Sequence, residues 1–155
     1  MYKKEIKANI VFCSFNELTK QEKDLIMAAK KAGFEAYAPY SEFKVGAAVL
    51  LDNGEILSAN NQENAAYPSG LCAERVVMFY ANASHPHNKI LCLAVAANKD
   101  GIFTENPISP CGSCRQVLLE SEQRHDSAIR LLLYGEKETA VVASAASLLP
   151  LSFKI

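Results

Sequence analysis

Three thiols and one carboxylate are the side chains here with chemistry to perform. Residues 70–78 read GLCAERVVM and residues 109–117 read SPCGSCRQV. Cys72 and Glu74 stand two positions apart, and Cys111 and Cys114 three apart. Three readings are open at first sight: a metal site, a redox dithiol, or core cysteines beside a surface acid. Cys111 and Cys114 follow Pro110, which suits a helix start, and residues three apart share a helix face. Cys72 follows the helix breaker Gly70 near the start of an earlier helix. A helix N-terminus offers free N–H groups and partial positive charge, and both favour thiolate over thiol. Two helix starts aimed at one point suit three thiolates around a divalent cation, and zinc matches sulfur in tetrahedral geometry.

The spacing argues against the rivals unevenly. PCGSC opens a helix but lacks the βαβ setting of a redox dithiol before it. A zinc ribbon needs a second C-x-x-C, and LCAE supplies one thiol only. A structural zinc site needs a fourth protein ligand, for which Cys13, Cys92, His85, His87 and His125 are the candidates. Cys92 lies inside the apolar run ILCLAV and reads as a core thiol; Cys13 ends a strand. The three histidines lie in polar stretches and read as surface residues. An open fourth position carrying water is the better reading, with Glu74 as the acid that works on it. In an ideal helix Glu74 points away from Cys72, so this reading requires an irregular first turn.

The elements that must position these groups follow from periodicity. Residues 4–13 alternate as a strand (Ile6, Ala8, Ile10, Phe12). LTKQEKDLIMAAKKAGF reads as a helix with a Thr19/Glu22 capping box, a stripe of Leu25, Ile26, Ala29 and Ala32, and a stop at Gly33. Residues 35–43 form a loop with aromatic residues. Residues 44–59 form a hairpin turning at Asp52-Asn53-Gly54, and 60–70 an Asn-rich loop. Helices are expected over 71–83 and 111–122, and a buried strand over 89–98. AIRLLLY and TAVVA are strands joined by so short a link that they must be antiparallel. The order β, α, ββ, α, β, α, ββ gives an α/β fold: a mixed sheet faced by helices.

Composition bounds the function. The 155 residues suit one domain spanning 1–155, and the 50% hydrophobic content suffices for a core. The net charge of −1, with no basic stripe, excludes a nucleic acid polymer as main partner but not a free nucleoside. The N-terminal MYKKEIKANIVFCSF is too polar for a signal peptide or membrane span, so a cytoplasmic protein with reduced thiols and no membrane partner is expected.

Several motifs in order (YSEFKVGAAVL, NNQENAAYPSGLCAER, PCGSCRQVL, LLPLSF) resemble the zinc-dependent cytidine deaminases in their small homotetrameric form. The resemblance implies a three-layer α-β-α fold with a mixed five-stranded sheet, helices on both faces and the last two strands antiparallel; residues 1–18 add an extra N-terminal strand. It implies Zn²⁺ on Cys72, Cys111 and Cys114, with Glu74 as proton shuttle. It implies that Asn61 and Glu63 bind the ribose hydroxyls, that Phe43 packs beside the base and that Ala73 presents its backbone to it. Ala65, Tyr67 and Phe153 match positions that complete a neighbouring subunit's pocket. Arg75 matches a cation near the thiolates; Arg115, apart from the resemblance, is a second cation expected to offset their charge. The implied reaction is hydrolysis of cytidine, and of deoxycytidine, to the uracil nucleoside and ammonia, in pyrimidine salvage. The rivals are a deaminase of another aminated base or nucleoside antibiotic, and a non-catalytic zinc module that has no need of Glu74. Leu151 and Phe153, apolar beyond the last strand, point to burial at a subunit interface in a homotetramer.

Overall fold

In a computed structural model that describes residues 1–153, the chain forms ten strands and helices around one sheet. They are β1 (Ile10–Cys13), α1 (Lys20–Phe34), β2 (Phe43–Leu51), β3 (Ile56–Asn60), α2 (Ala73–Ser84), β4 (Ile90–Lys99), β5 (Ile102–Phe103), α3 (Gly112–His125), β6 (Arg130–Leu133) and β7 (Thr139–Val142). The seven-stranded sheet runs β1-β7-β6-β4-β2-β3, with β5 paired to the end of β4. Every pairing is antiparallel except β4 with β6, which α3 connects as a crossover. The sheet is therefore mixed, as the sequence implies, and β6 and β7 form the expected antiparallel pair. Among the described residues no helix is long and apolar enough to cross a membrane.

Strand alternation sorts the core into two layers. Ala47, Val49, Leu93, Val95, Leu131 and Leu133 face α2 and α3, meeting Val77, Met78 and Leu118. The intervening Ala48, Leu50, Ala94, Ala96 and Leu132 face α1 and meet Leu25, Ile26 and Ala29. Both faces are covered, which is why these strands read as continuous apolar runs. Both helices that carry the thiols thus lie on one side of the sheet. The hairpin turns at Asp52–Gly54 as expected: Gly54 has φ +87°, and its N–H donates to the Leu51 carbonyl at 3.0 Å.

Three expectations need correction. The N-terminal strand covers only residues 10–13, because β7 offers four partners, Thr139 to Val142, and residues 4–9 have none. Alternation without a neighbour to pair with does not make a strand. The two-residue strand β5 was absent from the sequence reading; it is too short to show a period. Gly33 does not stop α1, which runs on to Phe34 and is capped by Glu35. Gly33 is buried against Gly46 of β2: a Cβ on Gly33 would lie 3.1 Å from the Gly46 nitrogen, and one on Gly46 would lie 1.9 Å from the Ala29 carbonyl oxygen. The glycine pair lets α1 settle onto the sheet backbone-to-backbone. The capping box at the other end is present, with the Glu22 N–H reaching Thr19 Oγ1 at 3.3 Å and the Glu22 carboxylate accepting from the Thr19 N–H at 2.9 Å.

Gly46→Ala drives a methyl group into the α1 backbone. We expect about 1–3 kcal/mol of destabilisation from this overpacking. That corresponds to a fall in Tm on the order of 5 °C, measured by calorimetry. An unchanged Tm would show that α1 can lift from the sheet without penalty.

Candidate metal centre and pocket

The two helix starts converge on one cluster. Cys72 is the N-cap of α2 (φ −66°, ψ 151°) and Cys111 the N-cap of α3 (φ −66°, ψ 168°). Cys114 lies buried in the first turn of α3. The sulfur atoms of Cys72 and Cys111 are 3.8 Å apart and those of Cys111 and Cys114 3.3 Å. All three lie within 4.8 Å of one another. Tetrahedral zinc with bonds of roughly 2.3 Å places its sulfur ligands roughly 3.8 Å apart, so the set fits that ion. Among the described residues no other Cys, His, Asp or Glu joins the group. Cys92 is buried in the core layer under α1 and Cys13 packs at the edge of that layer. His85 pairs with Glu55 at 3.0 Å. Three protein sulfurs would leave the fourth position of a tetrahedral ion open.

Charge is distributed unevenly over the sulfurs. The Cys114 thiol, hydrogen-bonded to Cys72, holds the Cys72 thiol well below its ordinary range; Arg75 lowers it further. Burial works in the opposite direction. Cys114 is raised, first because it keeps its proton to serve the Cys72 thiolate. Close thiols cannot all ionise without a cation to hold them together.

Glu74 is 5% exposed and sits at the second residue of α2. Burial, and then the charge on Cys72, raise its carboxyl above the usual carboxylate range. The start of α2 is regular rather than irregular, with the Val76 N–H donating to the Cys72 carbonyl at 3.1 Å; Cys72 is an N-cap with extended backbone, so an ideal helical wheel does not apply across it. Arg75 donates to the Gly70 carbonyl at 3.4 Å, and its charge lies close enough to Cys72 to favour the thiolate. Arg115, expected to share that role, turns instead to the carbonyls of Pro110 and Leu148.

A cavity of about 550 Å³ opens beside Cys72 and Arg75, lined also by Tyr40, Asn61, Glu63 and Tyr67. The volume is in the range of small-ligand sites. Asn61 already works for the fold: its Oδ1 accepts from the Val45 N–H at 2.8 Å, and its Nδ2 donates to the Phe43 carbonyl at 3.0 Å. Glu63 accepts from the N–H groups of Tyr40 (2.9 Å) and Ser41 (3.2 Å) and from the Ser41 hydroxyl. The Ser41 hydroxyl first, then the Tyr40 N–H, hold its carboxyl below the usual range. Leu71 and Gln62 exchange two backbone hydrogen bonds of 2.9 Å, which fix this loop to the start of α2.

Four expected substrate contacts do not line the cavity in this chain. Phe43 begins β2 half-buried, Ala73 is wholly buried, Ala65 is exposed, and Phe153 is 71% exposed. The sequence reading missed Tyr40, which meets Tyr67 edge-to-face with centroids 6.0 Å apart. Its signal was an aromatic residue in a polar loop.

A mixed sheet that presents three sulfurs and a buried carboxylate at two helix starts is the arrangement of a zinc-dependent hydrolase. The profile described as "Cytidine and deoxycytidylate deaminase zinc-binding region" matches residues 19–127, and the chain belongs to that family. It is 43% identical over 129 residues to a cytidine deaminase of Sporosarcina psychrophila, covering 83% of this chain and 88% of that one. The crystal structure of a cytidine deaminase from Burkholderia pseudomallei superposes with a TM-score of 0.72 at 38% identity, covering 88% of this chain and 100% of that one. A Mycobacterium tuberculosis cytidine deaminase superposes with a TM-score of 0.67 at 34% identity, covering 86% and 98%. The match begins at Thr19, so β1 lies outside it.

Purified protein is expected to carry about one zinc ion per chain by elemental analysis. Cys114→Ser should lose tightly held zinc on dialysis while keeping its helical circular dichroism. Full zinc retention in that variant would place the metal elsewhere.

Proposed function

We propose that this protein catalyses hydrolytic deamination of cytidine, and of deoxycytidine, to the corresponding uracil nucleoside with release of ammonia. The observation that carries the reading is Glu74, a carboxyl only 5% exposed and close enough to feel Cys72 and Cys114. Burying it is unfavourable, and a purely structural metal site has no use for it. Family membership and the names of the relatives support the substrate class.

Cys72, Cys111 and Cys114 would hold the zinc. When bound, zinc acts as a Lewis acid that lowers the pKa of a water at its open position. The remaining roles fall to the chain itself. Glu74 accepts a proton from the attacking water and delivers it to ring N3 as C4 becomes tetrahedral. The C4 hydroxyl then gives up its proton through Glu74 to the departing amine; the C4–N bond breaks, ammonia leaves, and the C4 oxygen becomes the carbonyl of uracil. Arg75 tempers the negative charge of the sulfurs. Asn61 Nδ2 carries a second hydrogen and the Glu63 oxygens carry further lone pairs, so both can meet ribose hydroxyls while keeping their bonds to the fold.

In this reading Phe43 packs beside the base and the Ala73 backbone faces it, although neither side chain lines the cavity of the single chain. Ala65, Tyr67 and Phe153 act on the pocket of a neighbouring copy in a cytoplasmic homotetramer of single-domain chains. The exposure of Tyr67 (76%), Phe153 (71%) and Tyr80 (54%) supports a surface made for partners.

An ultraviolet assay tests the reaction. Cytidine and deoxycytidine should be converted, with free cytosine slower by roughly 10- to 100-fold in kcat/KM for want of the ribose bonds. Glu74→Gln should retain zinc and lose about 10²–10⁴-fold in kcat. Near-normal turnover in that variant would assign proton transfer to another group.

A further inference from the structure

Two charged side chains of α3 have no part in the chemistry above, yet both are committed to the C-terminal segment. Glu122, 8% exposed, accepts from the N–H groups of Ile129 (2.7 Å), Ala145 (2.8 Å) and Ala146 (3.1 Å) and from the Ser144 hydroxyl (3.0 Å). It thereby caps the start of a 3₁₀ turn, Ala145–Leu148. Arg115, two turns earlier on α3, holds the other end: its Nη1 donates to the Leu148 carbonyl at 2.9 Å. Anion at the N–H end and cation at the carbonyl end is the favourable sense for a turn of aligned peptides.

The second arm of Arg115 reaches the metal centre. Its Nε donates to the Pro110 carbonyl at 2.8 Å. That carbonyl belongs to the peptide group joining Pro110 to Cys111. Cys111 is the exposed member of the sulfur cluster, and as N-cap of α3 its side chain makes no capping bond. The helix fixes Cys111 through its own carbonyl, which accepts from the Arg115 N–H at 3.0 Å. The preceding peptide plane sets the approach of the Cys111 backbone, and the Arg115 side chain holds it.

We infer that Arg115 is a positioning residue: one planar guanidinium ties the Cys111 backbone to the root of the C-terminal segment, so the metal affinity of the cluster depends on how that segment is docked. The inference rests on the zinc reading above. Only arginine presents two N–H groups in a rigid fork that can span both carbonyls; lysine keeps the charge but loses the fork. Groups that orient a metal ligand without touching the metal typically govern affinity by 10–100-fold.

The test is zinc affinity by chelator competition, with the thiolate-to-metal absorption of the cobalt-substituted protein as a spectroscopic signature. Arg115→Lys and Arg115→Gln should each bind zinc about 10- to 100-fold more weakly and shift the cobalt bands, with far-ultraviolet circular dichroism unchanged. Glu122→Gln, which loosens the far end of the same turn, should weaken zinc in the same direction by less. If Arg115→Gln does not fold, Arg115→Lys and Glu122→Gln carry the comparison. Wild-type affinity and cobalt spectrum in both of these overturns the clamp while leaving the zinc reading intact. A wild-type protein that takes up no zinc overturns both.

Discussion

Three sulfur atoms held within 4.8 Å of one another set the terms for the whole structure. As thiolates they repel, and without a cation they do not all ionise: neighbouring Cys72 and burial raise the Cys114 thiol. A divalent ion relieves this only if the chain brings the ligands in from directions that leave one position open. Two helix N-termini on one face of the sheet do so. The parallel β4–β6 crossover places α3 beside α2, and the apolar layer of Val49, Leu93, Val95 and Leu131 holds both against the strands. On the opposite face, α1 closes the second layer through the Gly33–Gly46 contact. The site is thus built on rigid elements, and only the pocket rim is made of loop.

Electrostatics then decides what the centre can do. Three thiolates against one divalent ion leave the cluster with a negative charge, which opposes formation of hydroxide nearby. In the proposed reading, helix N-termini and the Arg75 guanidinium would offset that charge at short range. Burial first, and then the charge on Cys72, raise the Glu74 carboxyl, so it holds a proton more readily. A group that both takes and returns protons benefits from this balance. The loop carrying Asn61 and Glu63 is anchored by its own polar side chains, which orders the rim before any ligand arrives.

Much of this was legible in the sequence. The turn at Asp52-Asn53-Gly54 marked the β2–β3 hairpin, the apolar run marked β4, the Thr19/Glu22 box marked the start of α1, and cysteine spacing marked the three sulfurs that cluster. Each of those signals is local, set by residues a few positions apart. What could not be read depends on partners distant in the chain. Residues 4–9 alternate as a strand should, but β7 is too short to pair with them. Gly33 has the composition of a helix stop, yet its task is to admit Gly46. Arg115 stands next to a ligand in sequence and looked like a charge for the thiolates; its acceptors lie at Pro110 and, 33 residues on, at Leu148. Asn61 and Glu63 were recognised as pocket residues, while their backbone hydrogen bonds were not.

The central claim is that Cys72, Cys111 and Cys114 hold zinc with one position left for water. X-ray absorption at the zinc edge of the purified protein measures this directly. The account predicts three sulfur neighbours at about 2.3 Å and one light oxygen neighbour at about 2.0 Å. Four sulfurs, or an imidazole nitrogen in place of the oxygen, would mean a closed structural site and would contradict it.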